Sequence, residues 1–578
     1  MKENLSSGQK IARKFTRFSR KASEATIEHV EENIIDRMGH IRRVRLLILE
    51  WALLVVSIIF LSITQAYWYT SSYATETYKN GGTFIEATLG EVKTLNPLFA
   101  STNSEKTVAK LLFASLTTND YTGHTGYNLA KSIKTDKTNK VWTVRLRDNL
   151  KWSDGEPLTN EDVIFTANLI KNPLLNSNYS GNLVGVQIKE DEDNNLVFTL
   201  PVANVYFMAA LEFPILPKHI LEDVSPDLIL EHGFSSKPIG CGPYTYNHTQ
   251  AIGNAGEKAV YLQSNKNYYK GTPKIDSFVV HAFVKSDDIV NALNNGTVTA
   301  SGELNAGDVA RVNASSLNTR ESSLNYGVYA FFNVERVNKD LRKAIQQGID
   351  MNNVRSVLNG ERALDYPIIE EQSDLKDLPE LPKLDTNTAK KTIKEILAKN
   401  EDLKTDGLSI ATVKSGYLPD ISAKIAEEMR ALGLKVEVSE FEPGQDFFLN
   451  VLSQRNYDIL VYEIGLGPNP DIFAYYHSTE ANPNGHNLSN YKNVVVSDLV
   501  LSARATLNQE LRAKKYETVS KYFIEDVPAI GIYQSKMTYF VNKNVKTYSQ
   551  ENRLVTSTDR LLDVEKWGIE KDSKNRTP

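Results

Sequence analysis

The sequence predicts an α/β protein placed behind one apolar, membrane-length segment, and three observations carry that prediction. Runs with the two-residue alternation of strands, at residues 195–200, 259–262 and 277–283, are interleaved with stretches of helical spacing. Residues 141–170 read as a complete strand, turn and helix, the repeating unit of layered α/β folds. Residues 46–69 are apolar over about the 20 residues that a helix needs to cross a hydrocarbon core.

The N-terminal part comes first. Residues 1–45 carry a basic excess, whereas the whole chain has a net charge of -5, so the remainder is acidic. Within the leader, residues 23–44 have helical spacing, with Ile27, Val30, Ile34, Ile35 and Met38 on a loose apolar stripe. Arg42, Arg43 and Arg45 precede the apolar run, and Tyr67, Trp68 and Tyr69 end it. The positive-inside rule then places the N-terminus in the cytoplasm and the large domain outside, with the aromatic residues at the outer interface. A cleaved signal peptide is the competing reading, with Thr64 and Ala66 as small residues at a cleavage site. A leader of this length favours the uncleaved anchor.

Residues 70–80 read as a polar linker. Beyond it, Val141, Trp142, Thr143, Val144, Arg145 and Leu146 alternate as a half-buried strand should, and Ser153, Asp154 and Gly155 supply a turn. Thr159 then caps a helix, with Asp162 three residues on at its positive end. Ile421, Ile425, Met429 and Leu432 mark a second amphipathic helix, which Gly433 terminates before a strand at 434–438. The tail after Trp567 is charged and reads as loose.

Composition excludes several functions. A single cysteine, Cys241, rules out an internal disulfide framework, and its setting between two glycines reads as a small packed residue. His477 and His486 are too far apart for a helical metal pair, so no metal or other cofactor is expected. An acidic exterior argues against a nucleic-acid partner. With no nucleophile elbow or phosphate-binding loop, binding without chemistry is the expectation, and the protein is read as no enzyme.

Two segments identify a family: Lys151 to Val163 (Lys-Trp-Ser-Asp-Gly-Glu-Pro-Leu-Thr-Asn-Glu-Asp-Val) and Ile239-Gly-Cys-Gly-Pro-Tyr244. Together with Gly81-Gly-Thr-Phe84, Thr94-Leu-Asn-Pro97, Phe332-Asn-Val-Glu335, Leu341-Arg-Lys-Ala-Ile345, Pro470-Asp471 and Asp526-Val-Pro528, they make the chain resemble the family 5 extracellular solute-binding proteins. These are the oligopeptide and dipeptide receptors of ABC importers, and the resemblance spans residues 81–567. It implies a two-lobed, periplasmic-binding-protein-like (Venus flytrap) fold with an extra subdomain. Lobe one would comprise residues 81–104, 237–325 and 540–567, the extra subdomain 105–236, and lobe two 326–539, with 568–578 as a tail. Implied partners are a peptide or other small solute and the permease and ATPase of the importer. A ligand-sensing scaffold on the same fold and a secreted peptide hydrolase are the alternatives.

The implied cleft wall is the strand at 457–465 and the loop after it. Here the sequence departs from peptide-binding relatives, whose Trp is followed within a few residues by an Asp that pairs with the ligand's amino group. Ile464 takes the Trp position, and Gly467 or Pro468 takes that of the Asp. Glu463 is the nearest substitute for a cationic ligand group, a locally paired glutamate being the alternative. Tyr462, Gly465, Leu466, Asn333, Phe332, Tyr476 and His477 complete the candidate ligand-binding set.

Overall fold

Two strands far longer than their neighbours organise the body of the protein: Leu317–Phe332 and Ala529–Asn542 run antiparallel and carry the chain between two separate hydrophobic cores. The computed structural model describes residues 49–65, 74–175, 177, 179–253, 256–358, 360–373, 375–548 and 553–575. The basic leader 1–45, its helical stretch 23–44, and parts of the expected anchor (46–48 and 66–69) and linker (70–73) lie outside the described residues.

The long strands sit in the middle of a twelve-stranded sheet. On one side of them follow Ile459–Gly465, Leu408–Val413 and Val436–Phe441. On the other side come Ala300–Ser301, Thr83–Leu89, Ser277–Phe283, Lys258–Ser264 and Tyr244–Ala251. Their two ends belong to different cores. Leu324, Met537, Tyr539 and Val541 pack with Phe84, Val260 and Phe278, whereas Val328, Tyr329, Phe331 and Ile532 pack with Ile410, Ile425 and Leu460. Between the two ends the pairing breaks its register, from Ser323 to Gly327 and again at Val328. Irregular pairing of this kind disrupts the ladder locally and bends the strands where they pass from one core to the other.

The second core illustrates how sequence pattern becomes packing. Leu408–Val413 and Val436–Phe441 lie parallel in register, joined by the helix Leu418–Ala431. Ile421, Ile425 and Met429 point from this helix into the core at intervals of four, and each such buried side chain stabilises by about 1.5–3 kcal/mol. Gly433, at φ +96°, ends the helix in the left-handed region as its sequence position predicts.

In the first core, Val141–Leu146 buries Trp142 and Val144 while its alternate residues face outward. It lies in a four-stranded sheet with Ala130–Thr135, Leu196–Thr199 and Gln187–Glu190. The helix Asn160–Ile170 follows, and the Asp162 carboxylate accepts from the Thr159 backbone N–H at 2.8 Å and the Lys218 backbone N–H at 2.9 Å. Residues 105–236 share one continuous core with the strands Thr83–Leu89 and Ser277–Phe283.

Two expectations are corrected at the ends of the described body. Ala74–Lys79 forms a strand where the sequence reads as linker. Gly568–Asn575, expected to be loose, is also a strand, and its Gly568 and Ile569 pair with Lys546 and Val545. Strand pairing needs no apolar side chains at the edge, so neither charge nor polarity disclosed them.

The chain divides into two units, residues 78–571 and a second formed by residues 1–77 with 572–578. Within the latter, residues 49–65 are helical, and Leu49, Trp51, Ile59, Phe60 and Ile63 are exposed. Among the described residues no helix is long and apolar enough to cross a membrane.

Candidate ligand-binding cleft

A cavity of about 940 Å³ opens where the two cores face one another. The helix Asn103–Leu112 brings Lys106 and Lys110 to it from the first core. It starts there because Thr102 and Glu105 form a capping box: the Glu105 N–H donates to Thr102 Oγ1, and the Thr102 N–H donates to Glu105 Oε2, both at 3.1 Å. Glu303 enters just after the short strand Ala300–Ser301. From the second core, the strand Ile459–Gly465 supplies Glu463, and the long strands that pass between the cores contribute Ser535 and Tyr326, the latter packed against the first core.

Charge is distributed over both walls. Lys110 Nζ lies 2.9 Å from Glu212 and 3.3 Å from Asp559. Burial alone would lower its pKa, but the two carboxylates override that and hold it above the ordinary lysine value. Asn103 donates to one oxygen of Glu303, whose other oxygen is buried with no hydrogen-bond partner among the described residues. Burial raises the Glu303 pKa, and Arg560, Asn103 and Lys106 pull against it.

Glu463 is exposed, and its side chain lines the cavity, where the surrounding chain crowds it without sealing it from water. Its carboxylate accepts a hydrogen bond from the Ser535 hydroxyl. Burial pushes its pKa above the usual carboxylate range, opposed by Ser535 and by the charge of Lys106. Lys106 is shifted down by burial, with Glu303, Glu105 and Glu463 opposing. The arrangement can hold a ligand that bears both charges.

The other candidates from the sequence lie elsewhere. Tyr462, beside Glu463 on the opposite face of the strand, packs its ring 5.8 Å from Phe447. Phe332 is buried in the second core, and Asn333 donates to the Arg455 carbonyl at 3.1 Å while accepting from the Glu335 N–H. Leu466 is buried beneath the strand and donates its N–H to the Asn325 carbonyl at 2.7 Å. The Gly465 carbonyl accepts from the Tyr475 hydroxyl at 2.6 Å. Tyr476 is buried edge-on to Phe523, and His477 stacks on Phe473 at 4.2 Å. Phe332, Asn333, Leu466 and Tyr476 are buried behind the wall, Tyr462 and His477 pack against neighbouring aromatic rings, and Gly465 is exposed beside Tyr326 on the strand face that carries Glu463. Cys241 is buried, with its thiol pKa pushed up to about 12, as befits an inert packed side chain.

Sequence reasoning missed Lys106, Glu303 and Ser535. For Lys106 a signal existed: Thr102 and Glu105 have capping-box spacing, which announces a helix whose first turn carries a lysine. Glu303 and Ser535 had none, because a short strand and an ordinary serine become part of a site only through tertiary placement.

A second contact also joins the two cores. The Val205 N–H donates to the Arg504 carbonyl at 2.7 Å, and the hydroxyls of Tyr206 and Tyr516 lie 3.3 Å apart.

Two cores bridged by paired strands, with a charged cavity between them, define a class of solute receptor. The family profile of the bacterial extracellular solute-binding proteins, family 5 (middle region), matches residues 125–486, and the chain belongs to that family. Among curated relatives, the oligopeptide-binding protein AppA of Bacillus subtilis (strain 168) is 24% identical over 537 residues, covering 85% of this chain and 92% of AppA. The structure of that AppA in complex with a nonapeptide superposes with a TM-score of 0.72 at 21% identity, over 86% of this chain and all of AppA. The substrate-binding protein CtaP of Listeria monocytogenes gives 0.73 at 25% identity, over 85% of this chain and all of CtaP.

Proposed function

We propose that this protein is a membrane-anchored receptor of an ABC importer, which captures peptides between its two cores and delivers them unchanged to a permease and its ATPase. The observation that carries the reading is a cavity lined by opposite charges from two cores whose connecting strands break register beside it. Such a geometry lets a ligand that touches both walls shift an open–closed population toward the closed form. The named relatives support peptide as the ligand class. In this reading lobe one comprises residues 81–104, 237–325 and 540–567, lobe two residues 326–539, and residues 105–236 the extra subdomain.

Glu463 takes the ligand's ammonium in place of the Asp that peptide-binding relatives carry. A charged hydrogen bond contributes about 1.5–3 kcal/mol, so Glu463→Gln should weaken binding of free trialanine by about ten- to a hundredfold in titration calorimetry, with N-acetyl-trialanine little affected. Equal affinity of variant and wild type for the free peptide would dismiss this role.

The anchor is residues 46–69, supported by the apolar side chains that residues 49–65 expose. Carbonate-washed membranes should retain the full chain, with an N-terminal tag protected from external protease and the body digested. A mature protein beginning after Ala66 would replace the anchor with a cleaved signal.

A further inference from the structure

Four lysines line the cavity, and three of them already hold a carboxylate. Lys110 pairs with Glu212 and Asp559, Lys414 with Glu442 at 2.7 Å, and Lys536 with Glu321 at 3.3 Å. Lys106 has no side-chain hydrogen bond or ion pair among the described residues, although its side chain opens onto the cavity. The acids that attract it are engaged elsewhere. Glu105 spends both oxygens on the backbone amides of Lys93, Thr94, Ser101 and Thr102, Glu303 accepts from Asn103, and Glu463 from Ser535.

An ammonium has three donors and no acceptor, and one held in a partly desolvated wall without an acceptor gains most from an arriving anion. We propose that Lys106 is a specificity-determining residue that takes the ligand's free carboxylate, so that with Glu463 on the opposite wall the receptor reads both ends of a short, unmodified peptide. This rests on the peptide reading above. The wall favours a carboxylate over a phosphate. Its described residues include no arginine to supply a planar fork, and the nearby carboxylates of Glu303 and Glu463 repel a dianion. A short ligand follows from the volume, since a cavity of about 940 Å³ that must accommodate both anchors is of small-ligand size.

The test is calorimetry on the full chain in detergent with trialanine, its C-terminal amide and its N-acetyl form. Wild type should bind the free acid about ten- to a hundredfold more tightly than the amide. Lys106→Met should lose that factor for the acid alone and bind the amide as wild type does, while Lys106→Arg keeps the preference for the acid. Thermal unfolding of each variant checks that it is folded. Equal loss for acid and amide in Lys106→Met, or no loss for either, overturns the assignment to Lys106 while leaving the peptide reading standing. Failure of all three probes to bind wild type overturns the short-peptide reading, and this assignment with it.

Discussion

Arg560→Met should destabilise the body by about 3–5 kcal/mol, visible as a lower urea midpoint for unfolding, because it strands a carboxylate in the interior. Arg560 and Glu86 are both 0% exposed, with Nε and Oε1 2.6 Å apart. The guanidinium also donates to the Ser557 carbonyl at 2.5 Å and to Thr107 Oγ1 at 3.2 Å, and lies 5.8 Å from the Tyr539 ring centre. Glu86 has less reserve: beyond Arg560 it has the Tyr539 hydroxyl nearby, and its second oxygen is buried without a close hydrogen-bond partner among the described residues. Burial already drives its pKa upward, and Arg560 is the main force opposing that. With the arginine gone, Glu86 would keep its burial and the repulsion of nearby Glu303 but lose its ion-pair partner, and protonation or unfolding would follow. The double variant Glu86→Leu/Arg560→Met removes both charges and should recover most of the loss. A single variant with the wild-type midpoint would show that water reaches Glu86 and that the pair is not sealed.

That ion pair also shows where reading the sequence stops. Its partners are 474 residues apart, joining the strand Thr83–Leu89 to the turn Ser557–Leu561 after the chain has travelled through the second core and back. What was legible was local. The period of Val141–Leu146, the spacing of Ile421, Ile425 and Met429, and the stop at Gly433 follow from backbone geometry that neighbouring residues decide. The long strand Leu317–Phe332 was not legible as a strand, because the break between Ser323 and Gly327 interrupts its pairing; only its last residue, Phe332, stands in a motif that carries the family resemblance. The site was harder still. Glu463 was singled out as the nearest substitute for the Asp that peptide-binding relatives carry, but its companions Lys106 and Glu303 come from other elements, and only the fold brings them together. Phe332, Leu466 and Tyr476 looked like cleft residues because aromatic and apolar side chains near a cleft serve equally as its wall or as the core behind it.

Gly240→Ala should cost at least about 3 kcal/mol, the upper range for an overpacked core residue, and should impair ligand binding as well. A Cβ at Gly240 would lie 1.9 Å from the Leu112 carbonyl oxygen, and one at Gly242 would lie 2.6 Å from the Leu111 carbonyl oxygen. Both obstacles are backbone, so no rotamer change relieves them. The close approach has a purpose in the hydrogen bonding: the Gly242 N–H donates to the Leu112 carbonyl at 2.8 Å, and the Gly240 carbonyl accepts from the Ser153 N–H at 2.9 Å. The segment at 239–244 thus joins the end of the helix Asn103–Leu112 to the turn at 151–157, which is why these two stretches occur together in the sequence. To admit a methyl group, the helix end must move, and Lys106 and Lys110 move with it relative to Glu463. Cys241→Ala, between the two glycines, removes one buried sulfur without touching that contact and should cost less than half as much in urea unfolding. If Gly240→Ala instead unfolds with the wild-type midpoint and binds peptide unchanged, the helix end is free to shift, and Lys106 is not held where the charge-reading cleft requires it.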